Sequence, residues 1–177
     1  MSEPDRDLDH TFGAGEYISG SFSVGIRNLR QVTPWLYRGG QPDSDGLKTL
    51  NELGVRTVVS LRWSKNVVEA ERKAVISHGM SFESIPLHYW AFPSEGKIRH
   101  FLSIVDDEQR RPVFVHCLHG SDRTGLLLAM YRMARDGWDA DRAYQEMKNC
   151  GFHLFRMYHF KWAVYAFARK LKSGRGC

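Results

Sequence analysis

In the stretch His116-Cys117-Leu118-His119-Gly120-Ser121-Asp122-Arg123-Thr124-Gly125, a cysteine precedes an arginine by six positions. A short apolar run, Val113-Phe114-Val115, leads in, and a longer one, Leu126 to Tyr131, leads out. That order reads as strand, tight loop, helix. The first N–H groups of a helix lack intrahelical partners and point outward, so such a loop suits a phosphate-like dianion. A free thiol has a pKa of about 8.5 and is mostly protonated near neutrality. Loop N–H groups, the helix dipole and a nearby guanidinium all favour the thiolate, the form that attacks phosphorus. Arg123 offers a rigid fork of donors that can hold two phosphate oxygens at once, which lysine cannot copy. Gly120 permits a turn that a side chain would obstruct. The Thr124 hydroxyl, just beyond the loop, is placed to donate to the sulfur and stabilise the thiolate as it leaves.

The elements around this loop read as an α/β layer with a helical finish, a central and mostly parallel sheet flanked by helices. A first strand is predicted over 31–38. Asp43 or Ser44 caps a helix carrying Leu47, Leu50 and Leu53, which Gly54 stops. Strand 57–61 follows, then a helix over 67–78, a strand over 81–87 and a helix starting at Ser94 with Ile98, Phe101, Leu102 and Val105 on one face. Strand 113–116 feeds the loop. Beyond it the chain is helical: a segment apolar nearly all round from Leu126 to Met133, a helix capped by Asp139, and a last helix from about Phe155 to Lys172. The aromatic stripe Tyr158, Trp162, Tyr165 on that helix is expected to face the core. Cys150 reads as a packed thiol, and Cys177 lies on a tail open to an adventitious intermolecular disulfide.

Cys-x5-Arg-Thr, preceded by His and followed by Gly, resembles the signature of protein tyrosine and dual-specificity phosphatases. A second stretch supports this: Leu36-Tyr37-Arg38-Gly39-Gly40-Gln41-Pro42, then Leu47 to Gly54, then Val55-Arg56-Thr57-Val58-Val59-Ser60-Leu61-Arg62. It is similar to the opening of compact bacterial dual-specificity-like phosphatases, and the resemblance runs from about residue 30 to about 155. It implies the protein-tyrosine-phosphatase fold, a phosphocysteine intermediate on Cys117 and a phosphate clamp at Arg123. The cradle would comprise Cys117, Leu118, His119, Gly120, Ser121, Asp122 and Arg123, with His116 holding the loop from behind. Rival loops fit less well. A rhodanese-like carrier lacks the Arg-Thr-Gly ending, low-molecular-weight phosphatases carry their loop near the N-terminus, and a Walker A loop needs Gly-Lys-Ser/Thr.

The proton donor to the leaving group is less plainly written. Family members usually supply an aspartate some 25 to 35 residues before the cysteine, yet residues 82–92 hold Glu83 and no aspartate. Glu83 sits in a predicted strand; His88 falls in the window, and Glu95 lies just past it at a helix start, where an acid is stabilising in itself. Asp122 offers another solution, because Cys-x4-Asp-Arg is similar to myotubularin-type and Sac-type lipid phosphatases, whose loop aspartate is assigned an acid role. A carboxyl beside bound phosphate feels like-charge repulsion, which keeps it protonated. The alternative is that Asp122 pairs with an arginine or caps the loop. Arg62 ends a strand on the expected substrate edge, where it meets substrate or a surface carboxylate.

The chain has 177 residues, 42% hydrophobic and 25% charged, as expected of one soluble domain. The expected organisation is an N-terminal arm over 1–25, a catalytic domain over 26–172 and a tail over 173–177. No apolar run approaches the roughly 18 residues of a membrane span, and the acidic, polar start is no secretory signal. A nucleophilic cysteine among three that cannot all pair needs a reducing compartment, so the cytoplasm is expected. The net charge of +5 suits steering of phosphorylated substrates but equally a solvated surface. No zinc-ligand spacing, cofactor motif or nucleic-acid motif is present, and a monomer is expected. The reading is a phosphate-monoester hydrolase acting on phosphotyrosine, and on phosphoserine or phosphothreonine, in proteins. A phosphoinositide or inositol polyphosphate phosphatase is the first alternative, and a phosphate-binding pseudophosphatase is the second.

Overall fold

The computed structural model describes residues 25–174; the expected arm up to residue 24 and Cys177 lie outside them. Five short strands form one sheet: β1 (Arg30–Thr33), β2 (Leu36–Gly39), β3 (Thr57–Ser60), β4 (Ser81–Ser84) and β5 (Val113–His116), in the order β1-β2-β5-β3-β4. Only the β1–β2 pair is antiparallel. The single strand expected over 31–38 is therefore a hairpin. Thr33-Pro34-Trp35 turns the chain, because proline lacks the N–H a continuous ladder would need.

Six helices connect and cover the sheet: α1 (Ser44–Glu52), α2 (Lys65–Ser77), α3 (Glu95–Asp106), α4 (Asp122–Arg135), α5 (Ala140–Asn149) and α6 (Tyr158–Lys172). The capping residues read from sequence do their work. The Asp43 side chain accepts from Asp45 and Gly46 N–H, Ser94 from Lys97 and Asp139 from Arg142, each cap contributing about 1 kcal/mol. Alternation along the strands splits the core. Val58 and Phe114 face one cluster with Leu47, Leu50, Val75 and Phe82, while Val59, Val113 and Val115 face a larger one under α3 to α6. Helix α4 is buried along most of its length, and its Arg132 binds Glu146 on α5, at 2.9 Å, and the Val32 carbonyl of β1.

The last helix differs from expectation. Tyr158 and Trp162 are exposed, at 64% and 60%, and Tyr165 is half-buried with its hydroxyl donating to Asp141. Phe160, Ala163, Val164 and Phe167 fill the core instead. Both faces of this helix carry aromatic residues, so periodicity offered two choices and packing took the other. Among the described residues no helix is long and apolar enough to cross a membrane.

Candidate active site

The chain leaves the sheet at the carboxyl end of β5, the strand flanked by β2 and β3, where open α/β sheets bind their ligands. The loop from Cys117 to Ser121 then turns into α4. Gly120 makes the turn with φ +75°, and a Cβ there would stand 2.4 Å from the Gly39 carbonyl carbon. The end of β2 thus comes against the loop where only glycine fits. The Gly120 carbonyl accepts from Arg38 Nη2 at 2.7 Å and from Asn28 Nδ2 at 3.3 Å, and the Gln41 N–H donates to the Leu118 carbonyl at 3.2 Å. Arg38 is buried. The motif around Leu36 to Pro42 therefore acts as a clamp on the phosphate loop, a role that its sequence resemblance did not reveal.

Cys117 and Arg123 are both buried, at 2% and 1% exposure. The Arg123 guanidinium is fixed from three sides. Nη1 donates to the carbonyls of Leu61 and Leu87, each at 3.3 Å, and Nη2 donates to the Tyr89 hydroxyl at 2.9 Å. The Tyr89 ring lies 4.2 Å from the guanidinium carbon, an attractive cation–π contact. Arg123 Nε is left without a partner, as is the Thr124 hydroxyl on the first turn of α4. Buried donors without partners are costly in a finished fold, and an acceptor that reached these two would offset that cost.

Behind the loop, where His116 was expected, stands a chain of buried polar groups whose other members, Glu71 and Ser60, the sequence did not suggest. His116 Nδ1 lies 3.2 Å from the Cys117 carbonyl, and its Nε2 lies 3.1 Å from Glu71 Oε1 on α2. The Ser60 hydroxyl donates to the other Glu71 oxygen at 2.7 Å. Burial pushes the Glu71 carboxyl up, but the His116 and Ser60 contacts and the charge of Arg62 outweigh it, and the net pKa is lowered. A lowered native value means Glu71 contributes stability above the ordinary glutamate range, and loses that contribution as pH falls through its own pKa. Glu71→Gln is expected to cost about 1–3 kcal/mol near neutrality. The gap in melting temperature from wild type should narrow as pH drops from about 7 to about 3. A gap that stays constant across thermal melts in that range would refute the linkage.

Asp122 is buried at the first position of α4, and its carboxylate faces α6's approach segment. Oδ1 accepts the His153 backbone N–H at 2.9 Å, and His153 Nδ1 lies 3.0 Å from Oδ2. The partner of Asp122 is thus His153, thirty-one residues on. Glu95 stands in the first turn of α3, where Lys170 Nζ donates to it at 2.6 Å. That hydrogen bond and the charges of Lys170 and Arg99 lower its pKa; a carboxylate kept ionised in this way is unsuited to donating a proton. His88 is exposed and packs on Trp63, with ring centroids 5.3 Å apart. Arg62 donates to the Gln41 side chain, so it braces the loop clamp.

On the outer side of the loop, His119 and Ser121 share a cleft of about 490 Å³ with Arg27, Arg30, Asn149 and His153. The His119 imidazole titrates below the usual histidine range because of partial burial and then the positive charges of Arg27 and His153. Tyr89, His153, Glu71 and Arg38 are the site residues that sequence reasoning missed. A buried arginine in a strand and a glutamate on the inward side of α2 were the available signals.

A family model described as "DSP-PTPase phosphatase fused to NAD+ Kinase" matches residues 23–161. The chain is 33% identical over 125 residues to the dual specificity protein phosphatase TpbA of Pseudomonas aeruginosa, covering 71% of this chain and 55% of that one. It is 29% identical over 109 residues to inositol diphosphatase DSP1 of Oryza sativa subsp. japonica, covering 59% and 49% respectively. The chain thus spans about half the length of these two curated relatives. A crystal structure of P. aeruginosa TpbA in complex with pTyr superposes with a TM-score of 0.73 at 26% identity, over 94% of this chain and 98% of that one.

Proposed function

The chain belongs to the DSP-PTPase family of phosphatases, and on that footing we propose that it hydrolyses phosphate monoesters, phosphotyrosine on proteins first among them, through a phosphocysteine on Cys117. The observation that carries this is the loop itself, with a buried cysteine and a buried, fully braced Arg123 whose Nε is unpartnered. In the first step Cys117 Sγ attacks phosphorus, the bond to the leaving oxygen breaks, and that oxygen takes a proton from Asp122. In the second, water attacks the phosphocysteine, Asp122 takes its proton, and the S–P bond breaks to release phosphate. Arg123 holds two equatorial oxygens throughout, and the free Thr124 hydroxyl donates to the departing thiolate. No metal or organic cofactor has a part in these steps, and a reducing cytoplasm keeps the thiol competent. Phosphate release from para-nitrophenyl phosphate, blocked by vanadate and unaffected by chelators, tests the reading. Binding of vanadate without turnover would favour the pseudophosphatase instead.

Asp122 takes the acid role because it sits directly before Arg123 and its side-chain partner is the His153 imidazole, whereas Glu95 is held by the Lys170 ammonium and Glu83 by the Arg110 guanidinium. Asp122→Asn is expected to lower kcat about 10²-fold and to flatten the limb of the pH–rate profile that reports the acid, with phosphate affinity retained. A near-normal rate together with a lower melting temperature would leave Asp122 only as the cap of His153.

One observation favours a second reading, an inositol phosphate with several phosphate groups. The cleft of Arg27, Arg30, His119 and His153 adjoins the loop, and the burial and positive neighbours that disfavour the His119 cation there would be offset by a second phosphate. Under this reading an inositol bisphosphate is turned over more than about tenfold better than a phosphotyrosine peptide. Arg27→Ala should remove most of that preference, a charge-assisted contact being worth about 1.5–3 kcal/mol. Equal kcat/KM values for the two substrates in wild type would dispose of it.

A further inference from the structure

Most of the large apolar side chains that the fold leaves in solvent fall on a few segments of the chain. Among the described residues Trp63, Trp90, Phe92, Leu118, Leu154, Phe155, Tyr158 and Trp162 are exposed on the loop or on segments that supply its neighbours, and Ile76 on α2 is the one large apolar side chain exposed elsewhere. Trp63 follows β3 and rests on His88. Trp90 and Phe92 follow Tyr89, the residue stacked on Arg123, and both pack on His159 at ring distances of 6.0 and 6.4 Å. His159 Nε2 is 2.6 Å from the Tyr89 carbonyl, so this aromatic group is tied to the wall of the site. Phe155, at 97% exposure, follows the His153 that holds Asp122, and Tyr158 and Trp162 stand one turn apart on the outer face of α6. Single exposed apolar residues need no explanation, but several on neighbouring segments, with Trp90, Phe92 and Tyr158 gathered around His159, mark an interaction surface, here called the collar.

Charge identifies what the collar meets. From Met147 to Cys177 the sequence has no aspartate or glutamate and seven lysines and arginines. Arg156 and Lys161 are exposed on the same stretch of chain as Phe155, Tyr158 and Trp162, Lys161 with its ammonium 5.5 and 5.9 Å from the Tyr144 and Tyr165 rings. The carboxylates that approach from other elements are already engaged: Asp122 by His153, Glu95 by Lys170 and Asp141 by the Tyr165 hydroxyl. Tryptophan, tyrosine and phenylalanine interleaved with cations are the composition that seats a protein in the headgroup region of an anionic bilayer, with the rings at the acyl boundary and the cations on lipid phosphates.

We propose that the mouth of the active site docks onto an anionic phospholipid surface through Trp90, Phe92, Phe155, Tyr158 and Trp162, with Arg156 and Lys161 supplying the electrostatic attraction. The docked enzyme faces the bilayer with Cys117 and Arg123, so its substrates carry their phosphate at the membrane surface. This inference concerns where the site is presented and does not depend on which phosphate monoester is cleaved.

The test is co-sedimentation of the protein with vesicles of phosphatidylcholine alone and of phosphatidylcholine with phosphatidylglycerol, alongside the para-nitrophenyl phosphate rate in solution. Partition onto the anionic vesicles is expected, with a blue shift of tryptophan emission, and it should weaken as salt rises above about 0.15 M. Phe155→Ser and Trp162→Ser should each reduce partition about tenfold while the soluble-substrate rate stays unchanged. Ile76→Ser, an exposed apolar position on α2, should leave partition as it was. The proposal is overturned by absence of binding to anionic vesicles at low salt, by equal binding to the neutral ones, or by equal loss in Ile76→Ser. Concentration-dependent dimers abolished by Phe155→Ser, without vesicle binding, would also overturn it and assign the collar to a second copy. Because the soluble-substrate rate is read in parallel, loss of phosphatase activity and loss of docking are separate results.

Discussion

Cys117→Ser is expected to reduce phosphate release by about 10⁴-fold or more while leaving the fold and the phosphate site intact. The nucleophile of a covalent mechanism cannot be replaced by its neighbours, and losses of this size follow when such a group is removed. Serine keeps nearly the same shape at a position with 2% exposure, and the loop around it is held by Arg38, Asn28 and Gln41 rather than by the sulfur. The binding of vanadate or phosphate, read by calorimetry, should therefore persist within a fewfold of wild type. Rapid quench of wild type with an excess of substrate should show a phosphorylated species that mass spectrometry places on Cys117, and the variant should show none. A residual rate within about a hundredfold of wild type would mean that another group attacks phosphorus.

Arg123→Lys is expected to cost about 10²–10³-fold, mostly in kcat, although the charge is conserved. Lysine offers a single ammonium where the guanidinium presents a planar fork, so one of the two equatorial oxygens loses its partner as charge builds on them. The structure adds a second reason. Arg123 is positioned by the carbonyls of Leu61 and Leu87 and by the Tyr89 hydroxyl and ring. A lysine cannot reach all of these and an anion as well. Its ammonium would settle among the carbonyls, and two buried acceptors would compete with the substrate. A variant that raises KM alone with kcat unchanged would show that Arg123 binds ground state and transition state equally. Arg123→Ala should bind vanadate measurably more weakly than Arg123→Lys, since it removes the charge altogether.

Much of the site was legible because it is local. Cys117, Gly120, Arg123 and Thr124 lie within eight consecutive residues between an apolar strand and an apolar helix, and the strand-loop-helix geometry follows from those runs. The caps at Asp43, Ser94 and Asp139 were equally plain, since a cap is a contact between a side chain and N–H groups two or three positions on. Expectation failed where the deciding contact was distant or where two choices were equivalent. The hairpin at Thr33-Pro34-Trp35 hides within an apolar stretch that reads as one strand. On α6, Tyr158 and Trp162 repeat as regularly as Phe160, Val164 and Phe167, and only the position of α4 and α5 decides which set is covered.

The proposed proton donor shows the same division. Sequence placed Asp122 beside Arg123, and the α-helical start of α4 follows from that position. Which way the carboxylate turns depends on His153, thirty-one residues later, because α5 and the segment after it fold back over the loop. Glu71, forty-five residues before His116, reaches the back of the loop only because β3 and β5 are neighbours in the sheet and α2 covers them.

By itself, then, the sequence determined the phosphatase family and singled out the proposed nucleophile and phosphate clamp, because these readings depend on residue types a few positions apart on one loop between an apolar strand and an apolar helix. Tertiary structure alone decided that Arg38, Glu71, Tyr89 and His153 brace that loop, and that the aromatic face of α6 turns outward beside the mouth. Those outcomes depend on packing between elements far apart in the chain, and the side chains concerned have several chemically equivalent partners until the sheet order and the helix positions remove all but one.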